Sequence, residues 1–253
     1  NAGTLTVGGA ISGAGYGLTK AGAGTLVLGG ASSYSGATTI SAGTLVMSGS
    51  ANNSACSVAS GATLMGDGSV GGLTVTGSVK PGNTAGSLGS LGVSSLTTVS
   101  GAKLYFQIGD CTDTSERDYI SNSGSASIAA TTTVYLDDDL VENWNNANSY
   151  SWNLIVGGIT DASNFTLDES LWALDKADGT FCLSASGNNL VLTFTPQPAT
   201  QAHTITFSNV GKTSMVVSWT LGNGDGRLVI AREGSAPSSG PADGTTYTAD
   251  ADF

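Results

Sequence analysis

Residues 20–49 read KAGAGTLVLGGASSYSGATTISAGTLVMSG and state one short phrase twice, GAGTLVLGG and then SAGTLVMSG. The phrase recurs outward from there: Gly3-Thr4-Leu5, Gly24-Thr25-Leu26, Gly43-Thr44-Leu45 and, with Ala replacing Gly, Ala62-Thr63-Leu64. The leucines fall 21, 19 and 19 residues apart. A period near 20 with one short β phrase per copy is the mark of coils stacked one on the next. A second β phrase is expected in each copy, at residues 10–12, 38–40 and 70–75, which implies two or three strands per coil. Apolar residues alternate with Thr, Ser or Val in these phrases, as a strand does when one face is inside and the other meets water. Stacked coils place equivalent residues about 4.8 Å apart. Like charges at one position would repel at that distance, whereas Thr, Ser and Asn tolerate it.

Composition agrees. Charged residues are 11% of the chain, apolar ones 40%, and glycine contributes 37 of 253 residues. That apolar share favours a folded chain over a disordered one. Eight Lys and Arg against 19 Asp and Glu give a net charge of −11, which repels phosphates and anionic membranes and argues against nucleic acid as a partner. No apolar run reaches the roughly 18 residues of a membrane helix, so membrane insertion is not expected. The chain opens in mid-repeat without a leader, which would then lie upstream.

The stretch GTLVLGGASSYSGATTISAGTLVM within residues 22–49 resembles the autotransporter-associated β-strand repeat of bacterial passenger regions. SGATLMGDGSVGGLTVTGSVKPGN (60–83) and GAKLYFQIGDCTDTSERDYI (101–120) are similar to later coils of such passengers. The resemblance spans residues 1–197 and implies a right-handed parallel β-helix, extracellular or on a cell surface. In that family a membrane β-barrel usually follows the passenger; a different kind of segment follows here.

Residues 137–148, DDDLVENWNNAN, break the β pattern and read as a short helix or ordered loop in a terminal cap. A stack needs a distinct end, because an uncapped coil exposes unpaired backbone. Trp144, Trp152, Phe165, Trp172 and Phe181 are expected to close the core there, with a last strand at 189–195. Pro196-Gln197-Pro198 punctuates the chain, and 198–203 read as a linker. Residues 204–253 resemble the first half of a fibronectin type III domain: three antiparallel strands, a turn in GNGDGR (222–227) and Trp219 as core tryptophan. The expected fold is therefore all-β, a capped β-helix followed by a partial sandwich.

The residues that carry chemistry are sparse. His203, the sole histidine, sits beside the linker with no G-x-S-x-G phrase in the chain, and reads as a solvated interdomain residue. Asp137, Asp138, Asp139 and Glu142 lack the spacing of an EF-hand and read as a solvated loop or helix start. Residues 1–66 contain no Asp or Glu and only Lys20, which empties the early coils of general acids for sugar hydrolysis. Arg117 and Asp118, among Asp110, Asp113 and Glu116, read as one solvated mixed-charge turn. No catalytic, cofactor or metal residue is singled out. Cys56, Cys111 and Cys182 lack a C-x-x-C pairing. One disulfide or three buried thiols both stand, with Cys111–Cys182 the bridge expected in an oxidising compartment.

The leading functional expectation is a non-enzymatic structural protein of a bacterial surface: stalk, surface layer or fibre subunit. Its partners would be other copies, joined head to tail, or further domains. An adhesin binding glycan or surface protein is the alternative, and a polysaccharide-acting enzyme a distant third.

Overall fold

The computed structural model describes residues 3–83, 86–197, 203–211 and 216–220. Among them there is no helix, and most pairing is parallel. The first sheet runs β1 (Thr4–Val7), β3 (Thr25–Leu28), β5 (Gly43–Met47), β8 (Ala62–Gly66), β10 (Ser78–Pro81), β12 (Lys103–Gln107), β15 (Thr132–Asp137) and β17 (Phe165–Leu171), in that order. The second runs β2 (Leu18–Lys20), β4 (Thr38–Ile40), β7 (Cys56–Val58), β9 (Ser69–Val75), β11 (Ser90–Thr98), β13 (Tyr119–Asn122), β16 (Tyr150–Val156), β19 (Asn189–Thr195) and β18 (Thr180–Ser186). Short β6 (Ser50–Ala51) pairs with β9, and β14 (Ala126–Ser127) with β11. The chain alternates between these sheets, an arrangement compatible with a parallel β-helix. A separate small unit holds β20 (His203–Ser208) and β21 (Val216–Thr220), paired antiparallel.

Register carries the sequence repeat into space. Leu5 pairs with Leu26, Leu26 with Leu45 and Leu45 with Leu64, and the column continues through Val79, Leu104, Val134 and Leu167. Leu45, Leu64, Val79, Leu104 and Val134 are all fully buried. Side chains from both sheets join in one core, because alternate residues of each strand face inward. Leu5 differs from Leu45 and Leu64 of the same column. It is 64% exposed, since β1 is the sheet's edge and, among the described residues, no strand pairs with its outer side.

The second sheet departs from expectation at its start. The partner of Thr38–Ile40 is Leu18–Lys20, not residues 10–12, which form no strand. Lys20 therefore takes an inward position beside Ile40 and is only 7% exposed. Its ammonium donates to the carbonyls of Ala21, Gly22 and Ala42 at 3.0, 2.6 and 2.9 Å, filling a corner whose carbonyls have no strand partner there. The outward positions of the same strands form a hydroxyl column: Thr19, Thr39, Ser57, Thr74, Thr97 and Ser127.

The hydroxyls buried between β4 and the turn before β7 are paired with one another. The Tyr34 hydroxyl bonds Thr38 Oγ1 at 2.7 Å, Thr38 bonds Ser54 Oγ at 2.7 Å, and Ser54 donates to the Gly36 carbonyl at 2.7 Å. A satisfied chain of this kind avoids the desolvation cost of an orphaned hydroxyl.

The stretch from β16 to β19 differs from the rest of the sheet in its pairing. β19 spans the expected last strand and pairs antiparallel with β16. Gly187 and Asn188, at φ 55° and 67°, make the tight turn into it. Trp144 is the centre of an aromatic cluster, with ring centroids 4.6 Å from Phe194, 5.1 Å from Trp172 and 5.2 Å from Tyr150. Its indole N–H donates to the Asp175 carbonyl at 2.8 Å. Trp152 and Trp172 bury indole N–H groups without an acceptor, a cost the ring packing must outweigh. Phe165 is buried at the start of β17, away from those ring contacts. Residues 138–149 form turns and a bridge instead of a helix: Asp138 Oδ2 accepts the amides of Ala173 and Leu174 at 2.6 and 2.7 Å, so it caps another segment of the chain.

The cysteines correct another expectation. All three are free: Cys56 and Cys111 are buried, whereas Cys182 on β18 is exposed. Burial pushes the Cys56 thiol up to about 12 and, with the Asp110 charge adding, the Cys111 thiol to about 11. A thiol reagent at pH 8 is expected to label one cysteine per folded chain rapidly, at Cys182, and all three after unfolding, since thiolate and access are both required. Mass mapping of the label checks this.

In the small unit, two of the three expected antiparallel strands are present, and Trp219 on β21 is half-buried. The third strand and the GNGDGR turn lie outside the described residues, as does the His203 side chain. The His203 backbone begins β20.

Candidate functional site

Parallel register builds the candidate site on the outer face of the first sheet. Lys80 of β10 lies beside Met65, Tyr105 of β12 beside Tyr135, and Tyr135 beside Asp168. Lys80 Nζ sits 4.2 Å from the Tyr105 ring centroid, and the Tyr105 and Tyr135 rings stack at 4.5 Å with 11° between planes. Tyr135 in turn hydrogen-bonds Asp168. A cation, two rings and a carboxylate thus follow one another across four strands, with the Tyr105 ring between the Lys80 ammonium and the Tyr135 ring. The Ser170 hydroxyl and amide hold Asp168 below the usual carboxylate range.

Beside this column lies a cleft of about 70 Å³, lined among others by Lys80, Tyr105, Gln107, Asp118, Asp137 and Asp139. Asp118 corrects the reading of its loop as a solvated turn, because it is only 2% exposed. Its Oδ1 accepts the Gly89 amide at 2.8 Å and its Oδ2 the Gln107 amide at 3.0 Å. Burial drives the carboxyl up to about 7; the two amides oppose the shift and the Asp137 charge reinforces it. The remainder of that loop does behave as a turn. Asp110 and Asp113 are held below the usual carboxylate range by the hydroxyls and amides of Thr112 and Ser115. Arg117 bonds the carbonyls of Asn153 and Thr114 at 2.7 and 2.6 Å.

The carboxylates of Asp137, Asp138 and Asp139 lie within 4.8 Å of one another. Two are engaged as turn and cap acceptors, Asp137 by the Asp139 amide at 3.0 Å and Asp138 as described. Glu142 contributes its backbone, its carbonyl accepting the Cys111 amide at 3.0 Å.

With β2 to β5 placed, one stretch has a family match. Residues 18–47 match the passenger-associated-transport-repeat. The match takes in β2, β3, β4 and β5 and supports the autotransporter repeat family as the source of the repeat. No curated protein matches the chain. The site column lies outside the matched repeat, and sequence reading missed it. Its signal is nonetheless present: aligning the inward residues Val79, Leu104 and Val134 puts Lys80, Tyr105 and Tyr135 one position on, all facing outward.

Proposed function

We propose that this chain is part of a secreted or surface-exposed bacterial passenger protein and acts as a rigid, non-enzymatic structural element: stalk, surface layer or fibre subunit. On this reading the two large sheets are walls of a right-handed parallel β-helix, closed at one end by the aromatic cluster and followed by a partial fibronectin type III-like module. The observation that carries it is the unbroken inward column from Leu26 to Leu167. A stack that spends its residues on register and core leaves outer faces of Thr and Ser, and residues 1–66 supply no carboxylate to them. The repeat match over 18–47 is in keeping with a passenger-type role.

Association with further copies is part of the proposal. The edge at β1, with Leu5 and Tyr16 exposed at 64% and 76%, offers the same Thr-Leu phrase that each repeat presents to the next. Sedimentation velocity and electron microscopy of the full chain over a range of concentrations test this. Filaments or higher-order species that grow with concentration are expected. A chain that stays monomeric but binds glycans or matrix proteins saturably would instead establish the adhesin reading, and release of sugar products would overturn the non-enzymatic one.

A further inference from the structure

The cleft beside Tyr105 is electrically unbalanced. Asp118, Asp137 and Asp139 line it with one ammonium, Lys80, whose Nζ rests on the Tyr105 ring. Asp118 joins three segments there. Its two oxygens take the amides of Gly89, just before β11, and Gln107, at the end of β12, while its own amide at the threshold of β13 donates to the Gln107 carbonyl at 2.8 Å. Gln107 pairs with Asp137 in the ladder, so the next strand brings a second carboxylate to the same place. With one backbone amide on each oxygen, a proton on Asp118 has only the cleft side left to it, where Asp137 and Asp139 stand.

We propose that buried Asp118 holds a proton on its cleft side and that this proton is a clasp: it lets the segments at Gly89, Gln107 and Tyr119 stay joined through Asp118 in mildly acidic surroundings, and its loss releases them as the pH climbs to neutrality. The charges around Asp118 agree with this assignment. Asp137 ends β15 and Asp139 follows it, Asp67 lies near Gly89 in the turn before β9, and Glu116 packs by Gly109; all add negative charge. Lys80 from β10 is drawn to the Tyr105 ring, and adjacent Arg117 is directed to the Asn153 and Thr114 carbonyls and the Tyr119 ring.

The direction follows from linkage. Asp118 reaches about 7 in the closed form, while an open, solvated form would titrate in the ordinary carboxylate range near 4. The closed form therefore binds the extra proton, its advantage is whole below about pH 4, and it is lost as pH rises to about 7. Over that window the opening constant is expected to rise up to about tenfold per pH unit, and to level off above it.

Native-state hydrogen exchange of the full chain in EDTA tests the clasp. Protection factors of the Gly89 and Gln107 amides are expected to fall with each step from pH 5 to 7 and to flatten by pH 8, while the Leu64 amide in the core stays constant. Asp118→Asn, uncharged at every pH, is expected to abolish that slope, and Asp137→Asn to move it to lower pH. A flat profile in the native chain, or an unchanged slope in Asp118→Asn, overturns the proposal. Should Asp118→Asn fail to fold, carbon NMR titration of the native Asp118 carboxyl decides: a midpoint below about 5 overturns the clasp, and one near 7 that drops in Asp137→Asn supports it.

Discussion

Leu45→Asp is expected to leave the coils around β5 unable to fold. Leu45 is fully buried, paired on one side with Leu26 and on the other with Leu64, in a core where the nearest polar groups are already engaged with one another. A carboxylate there finds neither water nor a cation, and the loss is roughly 5 kcal/mol or more, at the extreme of what single substitutions do. Leu5→Asp is the control. The same substitution in the same column costs little at Leu5, because that side chain is 64% exposed. Urea unfolding followed by circular dichroism, with limited proteolysis of β3 to β8, checks the contrast, and equal losses at the two sites would show that the column is not the core.

Gly66→Ala has the second largest expected effect, and it acts through the backbone. Gly66 ends β8 at φ 133°, where an L side chain is strained, and a Cβ placed there would collide with the backbone of Met47 on the neighbouring strand. No rotamer change relieves a clash with backbone. Strain and overpacking together are expected to cost about 3 kcal/mol. Gly61→Ala, also at positive φ but with open space around it, is expected to lose only the strain part, about 1 kcal/mol. Comparing the two midpoints of unfolding separates clash from strain.

How far the fold can be read from sequence depends on the spacing of the coils. From Leu5 to Leu64 the inward column advances by 21, 19 and 19 residues, and the repeat announces itself. Beyond Leu64 the same column continues at Val79, Leu104, Val134 and Leu167, steps of 15, 25, 30 and 33 residues. No fixed period survives that, and Leu gives way to Val, so β10 to β17 had to be inferred from the company they keep. Lys20 was legible as a lone charge but not as an inward one, because three backbone carbonyls of a corner are invisible in a one-dimensional string. Asp118 failed for a related reason: the residues leading up to it, Thr112 to Glu116, are polar and exposed, while its partners Gly89 and Gln107 are 29 and 11 residues away. The last strand and the ring cluster were the easier part, since large rings concentrated from Trp144 to Phe194 mark apolar burial without any need of a period.

The widening steps of the inward column also bear on what the molecule does under load. Strands of one sheet sit about 4.8 Å apart, whereas a freed segment of 19 residues extends to roughly 65 Å and one of 33 residues to roughly 110 Å. A pull that peels strands one at a time from the β1 edge would therefore meet modest, evenly sized releases first and progressively longer ones toward the aromatic end. Under such a pull the longest segments, those leading to Val134 and Leu167, would be the last of the column to be released.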